Sequence, residues 1–129
     1  MKFLPALSAL CAGLALAACS GFPAREAAGG GMLTGSLAGA APGSVAARAM
    51  DDGDRRRAAT ALQTSSDGQP SAWRNPETGN SFVFTPTRSF EQRGIRCRGF
   101  KLEVLVGGRP DSIGGSACRQ ADETWRISS

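Results

Sequence analysis

The chain contains no histidine and no tyrosine, and aromatic residues make up only 6% of it. Without an imidazole there is no Ser-His-Asp or Cys-His catalysis, no zinc site with a histidine ligand and no histidine switch near neutral pH. With few aromatic rings and 17 glycines among 129 residues, the 41% hydrophobic count consists largely of small side chains that bury little area. One small domain is the most such a chain can pack, over less than its full length. The uncharged stretch from Phe3 to Ala18 is broken by Pro5 and Gly13, which suits a signal peptide better than a membrane span.

What is present begins with an address. Lys2 and the apolar run behind it end in Leu16-Ala17-Ala18-Cys19, which resembles the lipobox of bacterial lipoproteins. A branched residue and two small ones fit a peptidase groove, and the cysteine thiol takes the diacylglycerol. An ordinary signal peptide would need the small residues but not Cys19. Residues 1–18 are therefore expected to be a lipoprotein signal peptide, with Cys11 a plain apolar residue that is discarded. Cys19 is the expected lipid attachment site, where acyl chains such as palmitate bury CH₂ groups at about 0.8 kcal/mol each. Ser20, in place of the aspartate that retains many lipoproteins in the inner membrane, points to the cell outer membrane.

Residues 19–49 read as anchor and tether. From Ala27 to Ala47 there is no charge, and Gly31, Gly35, Gly39 and Gly43 recur every four residues. On a helix that spacing makes a groove for a neighbouring backbone, as in a glycine zipper. Pro42 and the helix-weakening glycines oppose it. Two forms stay open: a helix where the stripe meets membrane or a partner stripe, and a flexible tether otherwise.

The composition changes at Met50, and residues 50–129 are expected to fold. Asp51, Asp52 and Asp54 suit a helix N-terminus, Asp67-Gly68 is a stop signal, and Ala58, Ala61, Leu62 and Ser65 form a modest inward stripe. Between them, Arg55, Arg56 and Arg57 have two readings, contact with lipid headgroup phosphates and, the weightier, a solvated helix face paired with nearby aspartates. Beyond Pro70 the pattern turns to period two: Phe82 and Phe84 in a strand bounded by Pro86, then long arms Ile95–Val106 and Arg109–Cys118, then Trp125 and Ile127 in phase. The expected fold class is α+β, one N-terminal helix packed on a small antiparallel meander of about four strands.

The hairpin between the long arms has an internal check. Gly107-Gly108 suits a two-residue loop, which needs positive φ. Val106 then faces Arg109, and counting back along both arms sets Cys97 opposite Cys118. The pair falls at a non-hydrogen-bonded position, where Cα atoms approach to about 4.5 Å, within reach of a disulfide. The same register puts Phe100, Leu102, Val104, Ile113 and Ala117 on one face. Neither CxxC spacing nor further ligands accompany the cysteines, so a structural bridge is expected rather than a redox or metal pair.

These features, taken in order, resemble a known family. Asp51-Asp52-Gly53-Asp54-Arg55 is followed by Trp73-Arg74-Asn75-Pro76-Glu77-Thr78-Gly79, then Cys97-Arg98, Ala117-Cys118-Arg119 and Trp125-Arg126-Ile127. The order is similar to that of the 17 kDa surface antigen family of bacterial outer-membrane lipoproteins, with W-x-N-P-x-T-G and the two Cys-Arg pairs its most specific parts. Departures are Glu123-Thr124 before Trp125, where members often carry a glycine, and Gly99-Phe100 after Arg98. The resemblance implies an envelope antigen without an established catalytic activity.

The leading expectation is a non-enzymatic, membrane-anchored envelope lipoprotein with a structural or interaction role. The alternative is a periplasmic ligand- or protein-binding module whose partner is an envelope protein or lipopolysaccharide. Its best support is an arginine group, Arg88, Arg93, Arg96 and Arg98, of which Arg96 and Arg98 share a strand face and are the candidate anion-binding pair. Asp111, Asp122 and Glu123 are the only carboxylates offered as acid or base, and no nucleophile accompanies them. No catalytic residue, metal site or cofactor is expected, and a secreted lipoprotein does not normally meet nucleic acid.

Overall fold

The computed structural model describes residues 31–37 and 44–128. Cys11, Cys19, Gly39 and Gly43 lie outside the described residues. The elements in chain order are β1 (Leu33–Thr34), a 3₁₀ turn (Ala46–Arg48), α1 (Asp52–Thr64), β2 (Ser71–Arg74), β3 (Ser81–Gln92), β4 (Ile95–Val106), β5 (Arg109–Arg119) and β6 (Trp125–Ile127). The strands form one sheet in the order β1-β6-β5-β4-β3-β2. All neighbours are antiparallel except β1 and β6, which run parallel with Leu33 beside Trp125.

The expected four-stranded antiparallel meander is thus corrected to a six-stranded mixed sheet, in a mostly β domain with one helix. Two strands account for the change. β2 carries Trp73, whose ring stacks on Phe82 at 5.3 Å. β1 comes from the glycine-rich stretch, with Gly31 and Gly35 flanking it, so this part of the stripe is strand and not helix. β3 also runs on past Pro86, the position expected to bound it. Pro86 pairs with Phe100 and Arg88 with Gly99, leaving Thr87 as a bulge that lets the strand pass a residue without an N–H.

The sheet curls around the helix. In the strand order β1 and β3 are four spacings apart, about 19 Å if flat, whereas a helix with its side chains is about 10–12 Å across. α1 nevertheless packs on both. Neighbouring helix residues reach opposite edges of the sheet: Arg55 Nη1 donates to the Leu33 and Gly35 carbonyls beside β1, and Asp54 accepts from Trp73 Nε1 on β2. The fold is a half-barrel whose open side is filled by one helix.

The core lies between them. Ala58, Ala61 and Leu62 of α1 meet Phe82, Phe84, Phe100, Leu102 and Trp125 of the sheet, together with Leu33 and Leu37 from upstream of Met50. Phe84 and Phe100 stack at 4.9 Å. Small alanines on the helix let it sit close to the aromatic layer, so the core holds few large side chains. The β4–β5 hairpin has Val106 opposite Arg109, with Gly107 and Gly108 at φ 59° and 81°. Along that register Cys97 faces Cys118, and the two are bonded with Cα atoms 4.0 Å apart. No helix among the described residues is long and apolar enough to cross a membrane.

Candidate functional site

Polar side chains that leave water must find partners within the fold. Among the described residues three charged or amide side chains are buried, Asp54, Asn75 and Arg98, and they collect at the two ends of α1.

The first turn is closed by a reciprocal capping box. Asp51 Oδ1 accepts from the Asp54 N–H at 2.9 Å, and Asp54 Oδ2 accepts from the Asp51 N–H at 3.0 Å. The W-x-N-P-x-T-G segment then folds over the box. Asn75 Nδ2 donates to Asp51 Oδ2 at 2.7 Å and to Asp54 Oδ2 at 2.9 Å, while Trp73 Nε1 donates to Asp54 Oδ1 at 2.9 Å. The other side of the same amide shapes the turn, with Asn75 Oδ1 accepting from the Glu77 and Thr78 N–H groups. One asparagine therefore fixes both the helix start and the turn between β2 and β3. These donors stabilise negative charge, and the Asp54 N–H followed by the Asn75 amide holds the Asp51 carboxyl below the usual carboxylate range. Outside the box lies an open cleft of about 560 Å³ lined by Asp52, Arg56, Arg57, Pro76 and Glu77 among others.

The last turn is closed from the sheet. Arg98 of β4 is 2% exposed. Its Nη1 donates to the Leu62 carbonyl at 2.8 Å and the Ser65 carbonyl at 2.6 Å, Nη2 to Asp67 Oδ1 at 2.6 Å, and Nε to Ser89 Oγ at 3.1 Å. Carbonyls at a helix C-terminus have no intrahelical partner and carry the negative end of the dipole, so a buried cation satisfies both needs. Asp67, paired with Arg98 and accepting from Ser89 Oγ, has its carboxyl pKa lowered.

The candidate anion pair is thereby divided. Arg96 is exposed, with its guanidinium 5.8 Å from the centre of the Trp125 ring. Arg98 is not on a free surface: all three of its nitrogens already donate within the chain. The structure also separates the candidate carboxylates. Asp111 accepts from Ser44 Oγ and the Ala46 N–H, holding the 3₁₀ turn, and these bonds lower its pKa. Asp122 lies beyond the other end of β5 and accepts from the Thr124 hydroxyl and N–H, which lower its pKa likewise. Glu123 is 3.9 Å from Arg119. Of the arginine triplet, Arg56 and Arg57 are exposed, and Arg55 ties down β1.

Sequence reasoning missed Asp54, Trp73 and Asn75 as one unit. An aspartate three residues after another at a helix start is the signal for the box. Nothing local marks the tryptophan and asparagine, about twenty residues downstream, as its partners.

A half-barrel closed by one helix, bridged by a disulfide and with its buried polar side chains bonded within the fold, defines a small disulfide-stabilised β-rich domain. A family model described as 17 kDa outer membrane surface antigen matches residues 60–126. The 17 kDa surface antigen of Rickettsia bellii is 33% identical over 141 aligned positions, covering 87% of this chain and 89% of that protein. Those of Rickettsia conorii and Rickettsia rickettsii are 37% identical over 83 residues, covering 60% of this chain and about half of their own length (52%). The chain belongs to the 17 kDa surface antigen family. No solved structure matches it.

Proposed function

We propose that this chain is a non-enzymatic lipoprotein of the bacterial envelope, anchored in the outer membrane through an acylated Cys19, whose domain serves a structural or interaction role. The observation that carries the domain's part is the use of its buried polar side chains. Asp54, Asn75 and Arg98 are each bonded into the ends of α1, which is the work of a scaffold. The relatives' description as surface antigens supports a place at the cell surface or in the envelope. Support for the anchor comes from Leu16-Ala17-Ala18-Cys19.

The test is metabolic labelling with a palmitate analogue, followed by fractionation of the envelope. The wild type is expected to carry label and to sediment with outer membranes, and Cys19→Ser to lose both. A wild type without label, or a Cys19→Ser chain that stays on the membrane as fully as wild type, would overturn the anchored reading.

A further inference from the structure

Three features meet at the β3–β4 hairpin end of the domain. First, its two-residue turn is built on an unusual residue. Gln92 pairs with Ile95, and between them Arg93 and Gly94 have φ of 55° and 78°. A turn with both central φ positive favours Asn-Gly, because a side chain larger than asparagine's is strained there. An arginine at that position gives up stability that asparagine would keep, which makes sense if the charge is used. Second, Ile95 beside it is 41% exposed; among the described residues the other large apolar side chains left in water are Val45 and Leu105, toward the opposite end. Third, exposed arginines outnumber the carboxylates around it that are not already paired. Arg88, Arg93, Arg96 and Arg126 are exposed and make no ion pair to any described residue. Arg88 lies over the Phe90 ring at 4.4 Å and Arg96 over Trp125 at 5.8 Å. The carboxylates at this end are Glu91, which lies opposite Arg96 in the strand register without an ion pair, Asp67, which is taken by Arg98, and Asp122 and Glu123. Glu123 pairs with Arg119, and Asp122 accepts hydrogen bonds within its own turn.

The path of the chain singles out the same end. Gly31, the first described residue, lies against Glu123 and Thr124, so tightly that a Cβ there would overlap the Glu123 carbonyl. Cys19 is twelve residues earlier, a span of at most about 40 Å when extended. Under the anchored reading the chain from Cys19 enters the domain at the Arg93 end, opposite the Asp51–Asn75 end.

We infer that the β3–β4 hairpin is a membrane-facing tip, with Arg93 and Arg96 contacting anionic lipid headgroups and Ile95 entering the interface beside them. Orientation by Cys19 rests on the anchored reading; the charge and the exposed isoleucine do not. Each arginine near an anionic surface is worth about fivefold in binding, weak for a free domain but sufficient once tethering supplies a high local concentration.

The experiment is vesicle co-sedimentation of the non-acylated Cys19→Ser chain. It uses vesicles of phosphatidylcholine alone and of phosphatidylcholine with one-third phosphatidylglycerol. Binding is expected to the anionic vesicles only and to weaken with salt. Arg93→Glu/Arg96→Glu should reduce it at least about twentyfold, and Arg56→Glu/Arg57→Glu, an equal charge change at the other end, by less than about twofold. Arg93→Asn keeps the turn, so it should melt at a higher temperature while binding about fivefold more weakly. Equal binding to both vesicle types, equal losses in the two double variants, or undiminished binding by Arg93→Asn would each overturn the inference. Acylated wild type on the neutral vesicles tests the anchor separately: its failure there would remove the anchored reading without altering the headgroup result.

Discussion

The two ends of α1 solve the same problem with opposite charges and unlike materials. At the first turn a buried carboxylate accepts from the Asp51 N–H and is held by neutral side-chain donors, a tryptophan N–H and an asparagine amide. At the last turn one guanidinium from β4 reaches the freed carbonyls and an aspartate. The N-terminal lock is local, drawn from the two segments that follow one another in the chain. Arg98, more than thirty residues from Leu62, carries the C-terminal one. A helix of 13 residues with an alanine-rich inner face has little burial or propensity of its own to hold it. Its ends matter more than its middle.

The largest effect is therefore expected at Arg98. Arg98→Ala strands the Leu62 and Ser65 carbonyls and leaves a cavity under the helix end, and should lower stability by about 3–5 kcal/mol in urea unfolding. Arg98→Lys should recover only part of this, because an ammonium cannot present a planar fork to four acceptors. Next comes the disulfide beside it. Twenty residues lie between Cys97 and Cys118, so Cys97→Ser/Cys118→Ser is expected to cost about 3 kcal/mol. Hydrogen exchange should show the last turn of α1 loosening more than the first, and uniform loosening would erase the distinction between the ends. At the other lock, Asn75→Ala should cost about 2 kcal/mol, since it strips a donor from a buried carboxylate and an acceptor from the turn. Trp73→Phe, which keeps the ring but removes one hydrogen bond, should cost about 1 kcal/mol.

The smallest expected effect is that of pH, and it touches both ends together. Asp51, Asp67, Asp111 and Asp122 all have carboxyl pKa values lowered in the folded state. The unfolded chain therefore takes up protons first as pH falls. Their stabilisation is fully present above the ordinary aspartate pKa, about 4, and is lost as pH drops through the lowered folded values. Melting temperature should be level from neutral pH to about 5 and decline below about 4. A decline that began near pH 6 would call for a different group.

Much of the sheet was legible because hairpin geometry is local. Gly107-Gly108 sets the register of β4 and β5, and the two-residue phase of Phe100, Leu102 and Val104 fixes which face is buried. Arg98 falls in that same phase. The alternation argued for burial while the charge argued for solvent, and the outcome depended on carbonyls and an aspartate that only the folded chain brings near. β1 was not legible for a related reason. Leu33 and Thr34 sit between glycines with no alternation to read, and their partner Trp125 lies some ninety residues away. Pro86 marked a boundary by its missing N–H, but a bulge carried β3 beyond it.

Arg96 and Arg98, two residues apart on β4, offer the most direct test of the account. Each is changed to alanine in the non-acylated chain, and urea unfolding is measured beside binding to anionic vesicles per folded molecule. The account predicts opposite signatures: Arg98→Ala loses stability and keeps its binding, and Arg96→Ala binds about fivefold more weakly and keeps its stability. An Arg98→Ala chain as stable as wild type, but unable to bind, would make Arg98 a ligand residue and contradict the helix-end lock.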